Sequence, residues 1–246
     1  MVKEKNITQF NKDVAKRGGY EYSNSERLSA KIASKRISKT VLKLARVQGK
    51  SIIDIGCGDG TYTLELLEAG ASEVLGVDAA EAAVELAKRK ILGRRNIEFK
   101  TLNIYNLDKI GRVYDIAVVR GILHHLYDVE KAVEKICHIA KEMIVLEPNG
   151  YSPVLKIIEK TSKYHIAHEE KSYPPHLLDR WFEQQGATVI EYDYINVVPF
   201  FCPDIIAKIL DAVTPIVEKI PIVRNFCCAQ YVQKILGPKA TSSDPF

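Results

Sequence analysis

A glycine-rich loop directly after a short apolar segment is the part of this chain best suited to hold a reactive ligand. The loop and its flanks run Ile52-Ile53-Asp54-Ile55-Gly56-Cys57-Gly58-Asp59-Gly60-Thr61. Glycines at alternate positions let the backbone turn sharply and approach a ligand, because no Cβ stands in the way. The helical pattern that follows would add free N–H groups at the same place. This order predicts a nucleotide-type ligand at the carboxyl edge of a sheet; the alternative for the glycines is a plain tight turn.

The spacing of the glycines argues against a dinucleotide. A dinucleotide fingerprint requires GxGxxG, whereas Thr61 follows Gly60 directly and the spacing here is GxGxG. Asp54, two residues before the first glycine, would repel a diphosphate and attract a ligand that carries an amino group and a sulfonium. Both features disfavour a nicotinamide-dependent oxidoreductase.

A second carboxylate follows the next apolar segment. Asp78 comes directly after Val74-Leu75-Gly76-Val77. At the end of a strand, this carboxylate can accept hydrogen bonds from both hydroxyls of a ribose, and it disfavours a 2′-phosphate. The alternative role is an N-cap for the helix that begins near Ala79, and the two roles can coexist.

The elements that must position these residues alternate regularly from Gly49 onward. The predicted strands are 51–55, 73–77, 97–101, 114–119 and 143–146, with helices over 61–69, 80–92 and 129–140 between them. Strands that are apolar on both faces and alternate with helices indicate a parallel sheet covered on both sides. A helix over 25–47, capped by Ser25, is predicted before them. Beyond residue 150 we predict helices over 153–163, 175–185 and 204–220, and strands over 187–194 and 226–235.

The segment from about Lys50 to Asn149 resembles the class I S-adenosylmethionine-dependent methyltransferases, because the loop, the acid and the later strands fall in that family's order. The resemblance implies an α/β fold with a doubly wound, mostly parallel seven-stranded sheet whose last strand is antiparallel. An N-terminal helical arm and a helical insertion or cap after the fifth strand complete this picture. The implied cofactor is S-adenosyl-L-methionine.

The resemblance also assigns cofactor-binding roles by position. Gly56, Cys57, Gly58 and Gly60 would surround the methionine part, with Asp54 near its amino group. The ribose would lie against Asp78 and Ala79. The backbone of Arg120 would lie near the cofactor.

Asn103 and Ile104 follow the third strand, where relatives carry an acid and an apolar residue that touch the adenine. Asparagine departs from that pattern, but its amide oxygen can still accept a hydrogen bond from the adenine amine. The alternative for Asn103 is a loop cap.

Two adjacent histidines, His124 and His125, follow the fourth strand and are the catalytic candidates. His125 better matches the family's position, and a neutral imidazole could take a proton from the acceptor as the methyl group arrives. The alternative for either histidine is a helix-start or core contact. Since the sulfonium is already activated, geometric alignment could also suffice without a base. Glu147 and the loop residues His165, His168 and Glu169 are further candidates, although the loop residues have poor spacing for a metal site, and we predict none.

The chain divides by pattern into four parts. Residues 1–48 form an arm and a helix, 49–150 the cofactor-binding core, 151–236 the rest of the sheet with an acceptor-site cap, and 237–246 a disordered tail. The arm is polar and expected to be mobile. Gly18 and Gly19 could act as a hinge that closes Tyr20 and Tyr22 over the cofactor, or the terminus could simply be disordered.

The acceptor is predicted to be a small or lipid-linked molecule that is methylated on oxygen or nitrogen. The apolar stretch Pro199–Pro203 and the isoleucine-rich helix after it could wall an apolar pocket or touch a lipid-borne acceptor at a membrane surface. Alternatively, the isoleucine stripe packs on the sheet or in a dimer. Methylation of a protein or nucleic acid, and a non-catalytic cofactor-binding subunit, remain alternatives.

Composition narrows the class of protein. A net charge of +4, spread along 246 residues, is weak grounds for a nucleic-acid partner. The sequence contains neither an apolar run of about 18 residues nor an apolar signal-peptide core. The five cysteines form no CxxC pair, so we expect neither zinc nor disulfides and favour a cytoplasmic location.

Overall fold

A computed structural model describes residues 4–17, 25–162, 165–166 and 170–238. Its centre is one seven-stranded sheet with the strand order β3-β2-β1-β4-β5-β7-β6. The strands are β1 (Ser51–Ile55), β2 (Glu73–Asp78), β3 (Ile97–Thr101), β4 (Tyr114–Arg120), β5 (Ala140–Pro148), β6 (Thr188–Ile195) and β7 (Gln230–Leu236). The first five are parallel, and β7 lies antiparallel to both β5 and β6. The fold predicted from the sequence is confirmed.

The middle of the sheet is apolar on both faces, which is why the parallel order is stable. Ile52, Ile53 and Ile55 of β1 are all at most 1% exposed. Strands β2 and β4 flank β1 on opposite sides, so the chain leaves β1 where the strand order reverses. Ligands of doubly wound sheets bind in the crevice at such a switch point. The glycine loop and Asp78 both lie at this edge.

Helices cover the two faces of the sheet. They are α1 (Glu4–Arg17), α2 (Leu28–Ala45), α3 (Thr61–Glu68), α4 (Glu81–Lys90), α5 (Val129–Ile139), α6 (Pro153–Thr161), α7 (Pro175–Gln184), α8 (Asp204–Val217) and α9 (Pro221–Cys227). None of the helices in the described ranges is long and apolar enough to cross a membrane.

The N-terminal segment differs from the expected mobile arm. Residues 4–17 form α1, and Val14 is buried against Ala80 and Ala83 near the start of α4. The Asn11 side chain also accepts a hydrogen bond from the backbone N–H of Ala82 (3.0 Å). A short apolar stripe at Ile7, Phe10 and Val14 gives this otherwise polar helix one face to bury. Gly18, Gly19, Tyr20 and Tyr22 lie outside the described residues.

One predicted helix boundary and one predicted strand boundary are wrong. Helix α2 begins at Leu28, and Ser25 does not cap it; the Ser25 hydroxyl only accepts a hydrogen bond from the N–H of Arg27 (3.4 Å). Phe226 lies in α9 rather than in the last strand. Pro221 supplies the fixed φ that suits a first helical turn, so a helix precedes β7.

Helix α8 does not bury its isoleucines on the sheet, contrary to one expectation from the sequence. Its buried residues are Ala207 and Thr214, and Arg36 of α2 pairs with Asp211 on it (2.6 Å). The face of α8 that carries these two small residues therefore packs against the rest of the protein. Its isoleucines point outward, with Ile205 74% exposed and Ile216 63% exposed.

Candidate active site

A cavity of about 880 Å³ lies at the carboxyl edge of the sheet. Its floor is formed by the ends of β1, β2 and β4, and its walls by α1, α6 and the segment before α8. Most predicted site residues line it, namely Asp54, Gly56, Cys57, Gly58, Asp78, Ala79, Asn103, Ile104, Arg120, His124 and His125. One connected space therefore joins the predicted cofactor and acceptor residues.

The glycine loop has the backbone that its composition predicts. Gly56, Gly58 and Gly60 have φ values of 80°, 54° and 75°, in the left-handed region where a Cβ is unfavourable. A Cβ on Gly56 would overlap the Ile122 side chain. Gly60 does not line the cavity. A Cβ at this position would lie 2.6 Å from the Phe99 ring, which packs beneath the loop. The third glycine thus serves the turn and the packing beneath it.

Asp78 is tied to the glycine loop and to the start of α4. One oxygen of its carboxylate accepts from the Gly58 N–H (2.9 Å) and the other from the Ala80 N–H (2.8 Å). The second bond holds the N–H of Ala80, the N-cap residue of α4, so Asp78 supports the approach to the helix without being its N-cap. Each oxygen retains a lone pair for a ligand hydroxyl, so these two bonds and ribose binding are compatible. Burial raises the pKa of this carboxyl, while the backbone donors lower it.

Asp54 lies deeper than Asp78 and is 3% exposed. Its carboxylate accepts from the Thr63 hydroxyl (2.6 Å). Burial raises the pKa of Asp54 to about 6, against the lowering effects of Thr63 and Arg120. The Arg120 guanidinium is held by the Tyr62 ring (3.4 Å to its centroid) and the Ser38 hydroxyl (3.2 Å). A buried carboxylate of this kind gains most from a cationic ligand.

Asn103 caps the short 3₁₀ segment Ile104–Ile110. Its side-chain oxygen accepts from the Tyr105 N–H (3.1 Å), which is the alternative role weighed from the sequence. Both Asn103 and Ile104 also line the cavity. Both residues are therefore accessible to an adenine ring bound in the cavity.

Helix α1 contributes residues to the site that sequence reasoning missed. Ile7 and Phe10 line the cavity, and the Phe10 ring meets His125 edge-on with centroids 5.0 Å apart. The signal was present, since Ile7, Phe10 and Val14 share one helical face. In so polar a segment, however, three apolar residues did not stand out.

His124 forms a buried pair with Glu147. Its Nδ1 lies 2.7 Å from a carboxylate oxygen of Glu147, and Glu147 is 0% exposed. The same carboxylate accepts from the backbone N–H groups of Ile122 (3.0 Å) and Leu123 (2.8 Å). Burial lowers the pKa of His124, but the carboxylates of Glu147, Glu170 and Glu159 together outweigh burial and leave the pKa raised. Glu147 thereby fixes both the loop and the imidazole.

His125 and Glu170 lie beside His124. The two imidazole rings have centroids 3.9 Å apart. One donor atom from each of His124, His125 and Glu170 lies within 4.8 Å of the others. Glu170 was not predicted, because nothing in its local sequence distinguishes it from a solvated loop acid. Of the earlier loop candidates, His165 pairs with Glu170 (3.3 Å), and His168 and Glu169 lie outside the described residues.

Part of the cavity wall is apolar. Val154 and Ile158 of α6, Phe200 and Phe201 of the segment before α8, and Phe226 of α9 all line the cavity. Phe201 is 57% exposed and Phe226 51% exposed, so this wall reaches the protein surface. The apolar stretch before α8 therefore forms part of the pocket, as one reading of the sequence predicted.

The sequence of this chain is similar to those of known methyltransferases. A family model described as a methyltransferase domain matches residues 46–188, more than half of the chain. The chain is 26% identical over 155 residues to the ribosomal protein L11 methyltransferase of Thermotoga neapolitana, covering 63% of this chain and 54% of that protein. It is 34% identical over 104 residues to the ubiquinone biosynthesis O-methyltransferase of Idiomarina loihiensis, covering 42% and 40%. The matches span about half the length of these curated relatives.

Solved structures share the fold over nearly the whole chain. Magnesium protoporphyrin IX methyltransferase from Synechocystis PCC 6803, with bound S-adenosylhomocysteine, has a TM-score of 0.64 and 17% identity, covering 95% of this chain and 96% of that one. The N-methyltransferase NodS from Bradyrhizobium japonicum, also with S-adenosylhomocysteine, has a TM-score of 0.65 and 10% identity, covering 96% and 100%. The [4+2]-cyclase SpnF has a TM-score of 0.66 and 16% identity, covering 96% and 93%. The fold therefore hosts more than one reaction.

The family model covers the glycine loop, Asp78 and the histidine pair in one continuous match. The resemblance inferred from the sequence is confirmed: this chain belongs to the methyltransferase-domain family and has the class I S-adenosylmethionine-dependent methyltransferase fold.

Proposed function

We propose that this chain transfers the methyl group of S-adenosylmethionine to an oxygen or nitrogen atom of a small or lipid-linked acceptor. One observation carries the proposal: a single cavity joins the glycine loop and Asp78 at one end to the histidine pair and an apolar wall at the other. Its volume of about 880 Å³ is near the upper end of ordinary ligand pockets, which run to about 1,000 Å³. That leaves room for a nucleoside cofactor and a second molecule.

The residues at the cofactor end fit an amino-acid-bearing sulfonium nucleoside. Asp78 has lone pairs that can accept from ribose hydroxyls, and Asp54 offers a buried carboxylate to an ammonium group. Gly56 and Gly58 have left-handed backbones, which glycine adopts easily. Because they have no side chains, the loop backbone can approach the ligand closely at these two positions. A diphosphate at this place would meet two carboxylates, which disfavours a dinucleotide.

The reaction mainly requires that the acceptor be aligned with the methyl group and that water be excluded from the site. When bound, the cofactor supplies an activated methyl group on a positively charged sulfur. The chain's own residues align the acceptor with that group and exclude water, with Phe10 closing one side and the apolar wall the other. His125, at the boundary between the two ends, would take the acceptor's proton.

The apolar wall supports an acceptor with a substantial hydrophobic part. Phe201 and Phe226 are both about half exposed and line the pocket, so a long apolar group could leave the cavity along them. A lipid-linked acceptor fits this feature better than a compact polar metabolite does.

The test offers cofactor with an isotopically labelled methyl group to the purified chain, together with separate pools of polar metabolites and extracted lipids. We expect one compound, in the lipid-soluble pool, to gain the mass of one labelled methyl group. Calorimetry with S-adenosylmethionine, its demethylated product and NAD should show binding of the first two alone. Binding of NAD alone would overturn the proposal, and cofactor binding without transfer to any pool would favour a non-catalytic subunit.

His125→Ala separates catalysis from binding. We expect unchanged cofactor affinity and a lower turnover, with the exposed His138 changed to Ala as the matched control. Loss of cofactor affinity in His125→Ala would instead assign this histidine to the structure of the pocket.

A further inference from the structure

Three metal-binding side chains meet at the acceptor end of the cavity. His124 and His125 come from the loop after β4, and Glu170 comes from the segment between α6 and α7. One donor atom of each lies within 4.8 Å of the other two. Bonds of about 2.0–2.2 Å from a metal ion to imidazole nitrogen or carboxylate oxygen place the donors of a tetrahedral site about 3.4 Å apart. Side-chain adjustments of about 1 Å would therefore bring all three to one ion.

The surroundings of these donors are those of a supported metal site rather than of a surface cluster. The Nδ1 of His124 is held by the fully buried Glu147 at 2.7 Å, which leaves Nε2 as its metal-binding nitrogen. A carboxylate on the far nitrogen of a ligating histidine orients the ring and strengthens it as a ligand. The carboxylate of Glu170 is likewise positioned by His165 (3.3 Å). Both His124 and Glu170 thus have partners that orient them.

We propose that His124, His125 and Glu170 bind one divalent transition-metal ion of the zinc class, contrary to our expectation from the sequence. Two imidazoles and one carboxylate suit Zn²⁺ or Fe²⁺ better than Mg²⁺, which prefers oxygen donors. Three protein ligands leave at least one coordination position open, as in catalytic rather than structural zinc sites. All three donors line the cavity, so the open position faces the space for the acceptor.

This site deepens the proposed function, on which its catalytic consequence rests. An acceptor hydroxyl that occupies the open position loses its proton to water more easily, because the ion stabilises the resulting anion. The oxygen lone pair then forms the bond to the methyl carbon, and the electron pair of the broken carbon–sulfur bond stays on sulfur. The ion therefore selects an oxygen acceptor. His125 then serves as a ligand instead of as a base.

The first test is direct metal binding by the full, tag-free chain after treatment with a chelator. Calorimetry with Zn²⁺ should give one equivalent, and Co²⁺ should give the strong visible absorption of a four- or five-coordinate site. Mg²⁺ at the same concentration should bind at least tenfold more weakly. Absence of Zn²⁺ binding, or a weak Co²⁺ spectrum like that of the hydrated ion, would overturn the site.

Variants identify the donors. Glu170→Gln and His125→Ala should each weaken Zn²⁺ binding by at least tenfold, and Glu147→Gln by about 10–100-fold through His124. The matched controls are Glu98→Gln, an exposed acid on β3 that does not line the cavity, and the exposed His138→Ala. Both controls should keep one equivalent. Undiminished binding in both Glu170→Gln and His125→Ala would overturn the assignment, and if these variants do not fold, the Co²⁺ spectrum of the unaltered chain decides.

One set of samples then tests metal binding and methyl transfer independently of each other. Cofactor affinity is measured with and without chelator and should not change, because Asp54 and Asp78 lie outside the donor set. Transfer to a hydroxyl acceptor should fall at least tenfold with chelator and return with Zn²⁺. Stoichiometric metal without any transfer would leave the site standing and contradict the proposed function. Full transfer by chelated, metal-free protein would overturn the metal's role and leave the proposed function standing.

Discussion

The backbone N–H of Gly58 donates a 2.9 Å hydrogen bond to the carboxylate of Asp78. The bond joins the loop after β1 to the end of β2, two elements 20 residues apart in sequence. It holds the carboxylate at the floor of the cavity in a fixed orientation. Asp78 is therefore set up to meet a ligand without rearranging first.

Replacement of Asp78 by alanine should weaken binding of S-adenosylmethionine by about 1.5–3 kcal/mol, the value of hydrogen bonds to a charged group. Isothermal titration calorimetry measures this directly. Asp108→Ala, at an exposed position in the 3₁₀ segment, serves as the control and should bind with unchanged affinity. An unaltered affinity in Asp78→Ala would mean that this residue only supports the backbone at Gly58 and Ala80.

Cofactor affinity should depend on pH through Asp54. Burial raises the pKa of this carboxyl to about 6, so above that pH it is an anion that attracts an ammonium group, and below it the charge is lost. Affinity should therefore fall by up to about tenfold per pH unit as the pH drops below 6. Calorimetry between pH 5 and pH 8 tests this. In Asp54→Asn the affinity should be lower and this dependence should vanish; if it persists there, another group is responsible.

Detaching α1 should speed cofactor release. Val14→Asp places a charge where the side chain is 1% exposed, and the lost burial of a valine, about 1.5–3 kcal/mol, is enough to free the helix. We expect at least tenfold faster dissociation of S-adenosylhomocysteine in a stopped-flow competition experiment. Lys12→Asp adds the same acid on the exposed face and should have little effect. Equal rates in the two variants would show that α1 does not cover the ligand.

Gly150 is a second place where a small change should have a large effect. A Cβ there would overlap the backbone of Tyr173 and Pro174, which cannot rotate away. Gly150→Ala should lower the free energy of unfolding by about 1–3 kcal/mol, measured by urea denaturation. It should also expose residues 153–162 and 170–175 to limited proteolysis. Gly49→Ala strains its backbone (φ 70°) but meets no atom within 4 Å, so it should leave that segment protected; equal cleavage would contradict this account.

The cofactor half of the site follows from local sequence. The glycine loop, the acid before it and Asp78 are each defined by immediate neighbours, because a turn, a helix start and a strand end depend on a few adjacent residues. Alternating apolar runs and helical patterns also determine a parallel sheet. The same short-range rules mislead at Ser25, where the helix starts later.

The acceptor half was decided only by the tertiary structure. Register between β4 and β5 pairs Arg120 with Leu146, and this alone brings Glu147 to His124, 23 residues away. Glu170 meets the histidines because the backbone N–H of its neighbour Lys171 donates to the carbonyl oxygen of His124 (3.1 Å). The burial of Val14 and the outward isoleucines of α8 likewise depend on which surfaces α4 and α2 offer. Such contacts join residues far apart in the chain, so no local pattern can encode them, and only packing of the whole sheet selects them.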